Sequence, residues 1–284
     1  MPKLVLGLVC FSAVVLFAVG ANAQSASTSA DVQKAKYSVY AGGLHALDVN
    51  LTTDLSAKER YSVNMDAKTY GMLNKLAPWQ GTFKTNGWKG DVFKPEKHKS
   101  TATFRGEGDS KTYSYGKDGS FKKFTLVENG KVKSDTPDKK LTNGTTDILT
   151  STLNTLREIG AGKGCSGSDE IFDGKRRFKL SFKQVRETTL EQTKYNAYAG
   201  KAVECTAVVE PVAGEWHEKP RGWASIQEQG RSKGSLPTVW FAAVEEGKPA
   251  IPVKVRVKTD YGTLFMHLTQ YQSAGKKMTS KKAK

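Results

Sequence analysis

The sequence predicts a mainly-β protein: a strongly curved antiparallel sheet, an open or spiral β-barrel, wrapped on one α-helix. Three observations carry that prediction. Beyond residue 36 the chain falls into short runs of alternating apolar and polar residues, the period of half-buried strands. Turn signals separate the runs, most clearly Lys117-Asp118-Gly119-Ser120 and Glu128-Asn129-Gly130-Lys131. One segment, near 145–160, instead repeats its apolar residues at about 3.6 positions. Strands and helices do not alternate, which excludes a parallel nucleotide-binding sheet.

The elements follow in order. Tyr37 to Leu51 reads as a strand that continues through a glycine bend or bulge at Gly42-Gly43, with Arg60 to Met65 as its antiparallel partner. Gly71 to Leu76 is a short helical or turn segment stopped by Pro78. Trp79 to Pro95, Thr101 to Arg105, Lys111 to Tyr115 and Phe121 to Val127 extend the sheet. In the helix Ile148, Leu149, Leu153, Leu156 and Ile159 share one face. Thr145 or Thr146 caps it, Asp147 suits its positive end, and Gly160 stops it at C′. Strands resume over Glu170 to Gln184, with a bend or turn at Asp173-Gly174, and over Tyr195 to Glu210. After a polar, turn-rich stretch, Thr238 to Val244, Ile251 to Lys258 and Gly262 to Tyr271 close the fold. The expected organisation is a signal peptide at 1–23, a flexible leader at 24–35, one β-rich domain at 36–272 and a disordered basic tail at 273–284.

The first 23 residues bound the compartment. Met1, Pro2 and Lys3 make a positive end, Leu4 to Val19 is almost wholly apolar, and Ala21-Asn22-Ala23 is a small-x-small site. That is the grammar of a cleaved secretory signal. The apolar run, about 16 residues, is shorter than the roughly 20 that span a bilayer. The mature chain is therefore expected in the periplasm, an oxidising place without ATP, which removes many enzyme classes. Cys165 and Cys205 remain after the signal, with no Cys-x-x-Cys between them, and are expected to form a structural disulfide. Closing a loop of about 40 residues is worth up to roughly 4 kcal/mol. Lys and Arg number 44 against 28 Asp and Glu, a formal net charge of +16. Outside the cytoplasm such a balance points to an anionic membrane or cell-wall surface rather than nucleic acid.

Motifs for chemistry are sparse. Gly162-Lys163-Gly164-Cys165-Ser166-Gly167 matches a dinucleotide fingerprint by letter, but it follows a helix and precedes a strand, the reverse of the order that sets pyrophosphate on a helix N-terminus. No histidine pair has ligand spacing, so neither metal nor cofactor is expected. Glu215, His217 and Glu218 form the densest titratable cluster, a weak basis for a hydrolase of envelope material. The aromatics offer more. A long curved sheet has a concave face, and apolar lining that one helix leaves uncovered would make a groove. Its candidate lining is Trp79, Phe83 and Trp88 with Ile148, Leu149, Leu153 and Leu156 of the helix. Trp216 and Trp223 sit in the polar stretch as a candidate interaction loop.

Three segments carry a resemblance. Tyr37 to Leu44, then Cys165 with Ile171 to Leu180, above all Phe172-Asp173-Gly174-Lys175-Arg176-Arg177-Phe178, then Gly200 to Cys205, resemble the DUF3108 family of exported bacterial proteins. Pro252 to Val257 and Tyr261-Gly262 resemble its closing strands, so the similarity spans most of the mature chain. The family has no established activity and hands over no catalytic residues. Its look is similar to the open β-barrels of the lipoprotein carriers LolA and LolB, an analogy of architecture. Together these imply a non-enzymatic periplasmic protein supporting envelope integrity, binding a lipid, lipoprotein or peptide. The alternative is an interaction module with a filled core.

Overall fold

The computed structural model describes residues 31–133, 136–216, 236–259 and 262–281. The first half of the described chain holds β1 (Val32–Ala41), β2 (Leu44–Asp54), β3 (Arg60–Thr69), α1 (Gly71–Leu76), β4 (Trp79–Trp88), β5 (Lys94–Phe104), β6 (Glu107–Tyr115), β7 (Phe121–Glu128) and β8 (Lys131–Lys133). Two helices follow, α2 (Lys139–Thr142) and α3 (Ile148–Gly160). The second half holds β9 (Ser168–Phe172), β10 (Arg176–Leu190), β11 (Gly200–Gly214), β12 (Thr238–Ala242), β13 (Ile251–Thr259), β14 (Gly262–Gln272) and β15 (Lys277–Thr279).

All fifteen strands join one antiparallel sheet in the order β8-β7-β6-β5-β4-β3-β2-β1-β14-β13-β12-β11-β10-β9, with β15 on β14. Two meanders are thus spliced where the first strand meets the last long one, Tyr37 opposite Leu268 and Val39 opposite Met266. The free edges, β8 and β9, are neighbours in sequence, and α2 and α3 run between them. Side chains hold the seam where no ladder does. Phe172 of β9 packs on Tyr113 and Phe124 at 6.0 and 5.6 Å between ring centroids. Lys111 Nζ donates to the Asp173 carbonyl at 2.9 Å. Thr146 N donates to Glu170 O at 2.9 Å, beside an isolated parallel bridge from Thr146 to Ile171. The sheet is therefore a barrel left open along one line.

Antiparallel meanders send alternate connections to opposite ends. One end, the turn end, carries Gly42-Gly43, α1, Arg105-Gly106 and Asn129-Gly130. The other carries α3. Asp147 is the N-cap of α3, its carboxylate accepting from Leu149 N at 3.0 Å and Thr150 N at 3.2 Å. This corrects the expectation that Thr145 or Thr146 caps the helix. Leu149 and Leu153 pack with Tyr61, Val63 and Phe93. Leu156 and Ile159 pack with Ile171, Phe178, Leu180 and Phe241. Burying a leucine or isoleucine side chain is worth about 1.5–3 kcal/mol, so this stripe is what fixes the helix inside the curl. Gly160 serves packing rather than termination. It is the last helical residue, and a Cβ there would meet the Lys248 carbonyl oxygen at 2.3 Å. Ala250 N donates to Leu156 O across the same contact.

Cys165 and Cys205 are joined by a disulfide with a Cα–Cα distance of 6.3 Å, within the usual span. It ties the loop after α3 to the middle of β11.

Three expectations need correction. Gly42 and Gly43 both have positive φ, 55° and 86°, and reverse the chain in a two-residue hairpin turn, so Tyr37 to Leu51 is two paired strands. The expected leader is in part strand: residues 32–35 belong to β1 and pair with β2. The expected disordered tail is likewise structured in its described part. β15 pairs with β14, and Ser280 is fully buried, its N–H donating to Thr269 O. Backbone pairing satisfies N–H and C=O groups whatever the side chains are, so Ser/Thr/Lys-rich composition did not announce these strands. No helix among the described residues is long and apolar enough to cross a membrane.

Candidate functional site

Directly opposed residues in an antiparallel pair share a face of the sheet. Register therefore traces the concave surface. Leu51 lies opposite Met65, and Met65 opposite Phe83. Leu51 and Phe83 pack against Leu149 and Leu153, which places this row on the helix side. The same row continues through Ser100, Lys111 and Leu126. On the other side of the splice Val255 opposes Met266, and Met266 opposes Val39; Val255 packs on the cluster that holds Leu156. Leu51, Met65, Phe83, Val255, Met266 and Val39 are each only half-buried. α3 covers the concave face toward its own end and leaves this apolar belt partly uncovered toward the turn end.

Trp79 and Phe83 meet over a glycine. A Cβ at Gly81 would stand 2.9 Å from the Trp79 ring and 3.2 Å from the Phe83 ring. Both rings are half-buried, and Phe104, opposite Trp79, is 48% exposed. The absent side chain lets two aromatics lie over the strand as a platform. Lys111 brings a cation to this row. Burial pushes its ammonium pKa down, and nearby Asp173 opposes that shift. No sequence signal pointed to Lys111, because its place depends on register.

Where the helix begins, a buried polar cluster gathers around Asp147. Thr85 Oγ1 donates to Asp147 Oδ1 at 2.7 Å. His98 Nδ1 lies 2.7 Å from Thr85 Oγ1 and 3.2 Å from Asp147 Oδ1. Thr150 Oγ1 donates to Asp147 Oδ2, and Tyr61 Oη lies 2.6 Å from Thr150 Oγ1. Burial alone would raise the Asp147 carboxyl's pKa. The His98 ring and the hydrogen bonds from His98, Thr150 and Thr85 outweigh it and hold the group below the usual carboxylate range. Threonine, histidine and aspartate are the residue types of a nucleophilic set. Here all are buried behind α3, so the cluster pins the helix start to β3, β4 and β5 instead of meeting a substrate.

The structure divides the sequence-predicted residues. Trp79 and Phe83 come together on the partly open face, with Ile148 half-buried at its floor. Leu149, Leu153 and Leu156 are core, at most 8% exposed, and do not line a groove. Trp88 leaves the group. It lies opposite Arg60, whose guanidinium sits 5.0 Å from the ring centroid. Trp216 is anchored, its indole N–H donating to Ala213 O at 3.0 Å and its ring edge-on to Phe178. His217, Glu218 and Trp223 lie outside the described residues, as does the expected signal peptide. Among the described residues no three His, Cys, Asp or Glu side chains gather as a metal site.

The turn end is also where apolar side chains reach solvent. Among the described residues, exposed large apolar side chains at this end are Met72, Leu73 and Leu76 of α1 with Leu44, Tyr70 and Phe104. Val92, by contrast, lies beside α3, where Arg157 donates to the Asp91 carbonyl.

These features define a class: an open antiparallel β-barrel whose concave face is plugged by a helix at one end and apolar at the other. The chain belongs to the DUF3108 family, described as a protein of unknown function, whose model matches residues 36–269. Among solved structures it is similar to a β-barrel-like protein of the domain of unknown function DUF1849 from Brucella abortus. That match has 10% identity and a TM-score of 0.48, and covers 87% of this chain and 99% of the other. No curated protein matches the sequence.

Proposed function

We propose that this protein is a non-enzymatic periplasmic protein that supports the cell envelope by holding an amphiphile, an apolar chain with an acidic head, on the concave face above α3. The observation that carries the reading is the half-buried row Leu51–Met65–Phe83 with Trp79 beside it. Protein interiors are close-packed, so an inward apolar row left partly uncovered is a place for an apolar guest. Lys111, on the same row, is the group to meet an acidic head. The disulfide and the amino-terminal signal pattern support an oxidising compartment.

The test is displacement of a fluorescent fatty-acid probe, with the neutral alcohol of the same chain length as competitor. Phe83→Lys should weaken probe binding roughly tenfold or more. Lys111→Met should weaken the acid and spare the alcohol. Absence of probe binding by the wild type, or equal binding by Phe83→Lys, would overturn the reading. One observation favours a second reading, an interaction module: α3 fills the helix end with core residues, leaving the outer surface as the working part.

A further inference from the structure

We infer that the turn end is a membrane-docking surface that sets α1 and its neighbouring loops into an anionic phospholipid bilayer. The exposed side chains form one connected edge. Leu44 precedes His45, which stacks on Tyr70 at 3.8 Å. Tyr70 caps α1, which buries none of its residues and offers Met72, Leu73 and Leu76 to solvent. Arg105 then joins Leu76 to Phe104, its guanidinium donating to the Leu76 carbonyl at 3.2 Å and lying 5.2 Å from the Phe104 ring.

Charge selects the occupant. Exposed Lys75, Arg105, Lys131 and Lys258 sit on or beside the turns of this end against exposed Glu107 and Asp109, and the whole chain carries +16. Apolar tips interleaved with cations match an acyl–headgroup boundary with negative lipids. The tips come from separate turns instead of lining a groove, so they suit a deformable lipid surface better than a shaped protein partner. The concave face opens toward this same end, but docking does not depend on the ligand reading, and the two can fail separately.

The experiment is co-sedimentation of the purified protein with vesicles of phosphatidylglycerol and phosphatidylethanolamine, and with phosphatidylcholine vesicles. The wild type should bind the anionic vesicles, less so as salt rises. The double variant Met72→Asp, Leu76→Asp should bind roughly tenfold more weakly or worse while keeping its melting temperature and fatty-acid probe binding. Leu44→Asp offers a second, single-site loss at a hairpin tip. Val92→Asp, at the helix end, should bind as the wild type does. No binding to anionic vesicles would overturn the inference and leave the edge to a protein partner. So would binding that survives in the double variant, or an equal loss in Val92→Asp.

Discussion

The two ends of the curled sheet make opposite use of the same strands. At the helix end Leu149, Leu153, Leu156 and Ile159 of the α3 stripe are buried, the helix start is held by Asp147, and a disulfide locks the following loop to β11. At the turn end α1 buries nothing, the concave residues are half-buried, and apolar tips reach solvent. The contrast teaches that packing is concentrated at one end and leaves the other open, where the proposed binding would occur. Substitutions at the helix end should therefore cost folding, and substitutions at the turn end should cost binding.

The largest effect expected is from Cys165→Ser with Cys205→Ser. Losing a crosslink between residues 40 apart should destabilise by about 3–4 kcal/mol, and an unchanged unfolding midpoint in urea would break the comparison. Leu153→Ala, at 2% exposure, should cost about 3 kcal/mol by the same measurement, whereas Met65→Ala on the open belt should cost about 1 kcal/mol. Equal costs would mean that the open belt is as well packed as the plug.

Asp147→Asn sharpens the picture further. The native carboxyl is held below its unfolded value of about 3.9. Its contribution is therefore fully present above that pH and is lost as pH falls toward the native value. Removing the charge should cost about 2–3 kcal/mol at pH 7 and flatten the stability loss below about pH 4.

A second pH signature belongs to His267, whose pKa is lowered to about 4 by burial and by Lys254. Its neutral form is the one the fold favours, so stability is whole above the unfolded value of about 6.5 and declines as pH falls toward about 4. His267→Phe should remove that decline between pH 6.5 and 4 in a melting series. A wild-type midpoint flat across that window would contradict the assignment.

Most strands, the single long helix and the cysteine pair were legible in the sequence because each rests on local signals: period, turn residues and count. What was not legible depends on long-range register. The splice of β1 to β14 joins residues more than 200 apart and needs no special side chain. His98 fell between two expected strands and Lys111 read as an ordinary strand residue, until pairing set one beside Asp147 and the other beside Asp173. Gly160 looked like a helix stop because its real constraint, the carbonyl of Lys248, lies on a distant loop. Of the candidate lining, Trp79 and Phe83 were chosen for their aromatic character and lie together on the partly open face. Leu149, Leu153 and Leu156 were misplaced because an apolar helical face looks the same whether it meets a ligand or a sheet.

The most direct test of the central claim is native mass spectrometry of the protein purified gently from a periplasm, with extraction of any bound lipid. The account predicts a stoichiometric amphiphile on the wild type that is lost in Phe83→Lys and retained in a variant altered only at the helix end, such as Val92→Asp. A wild type that stays at its bare mass after incubation with envelope lipids would contradict it.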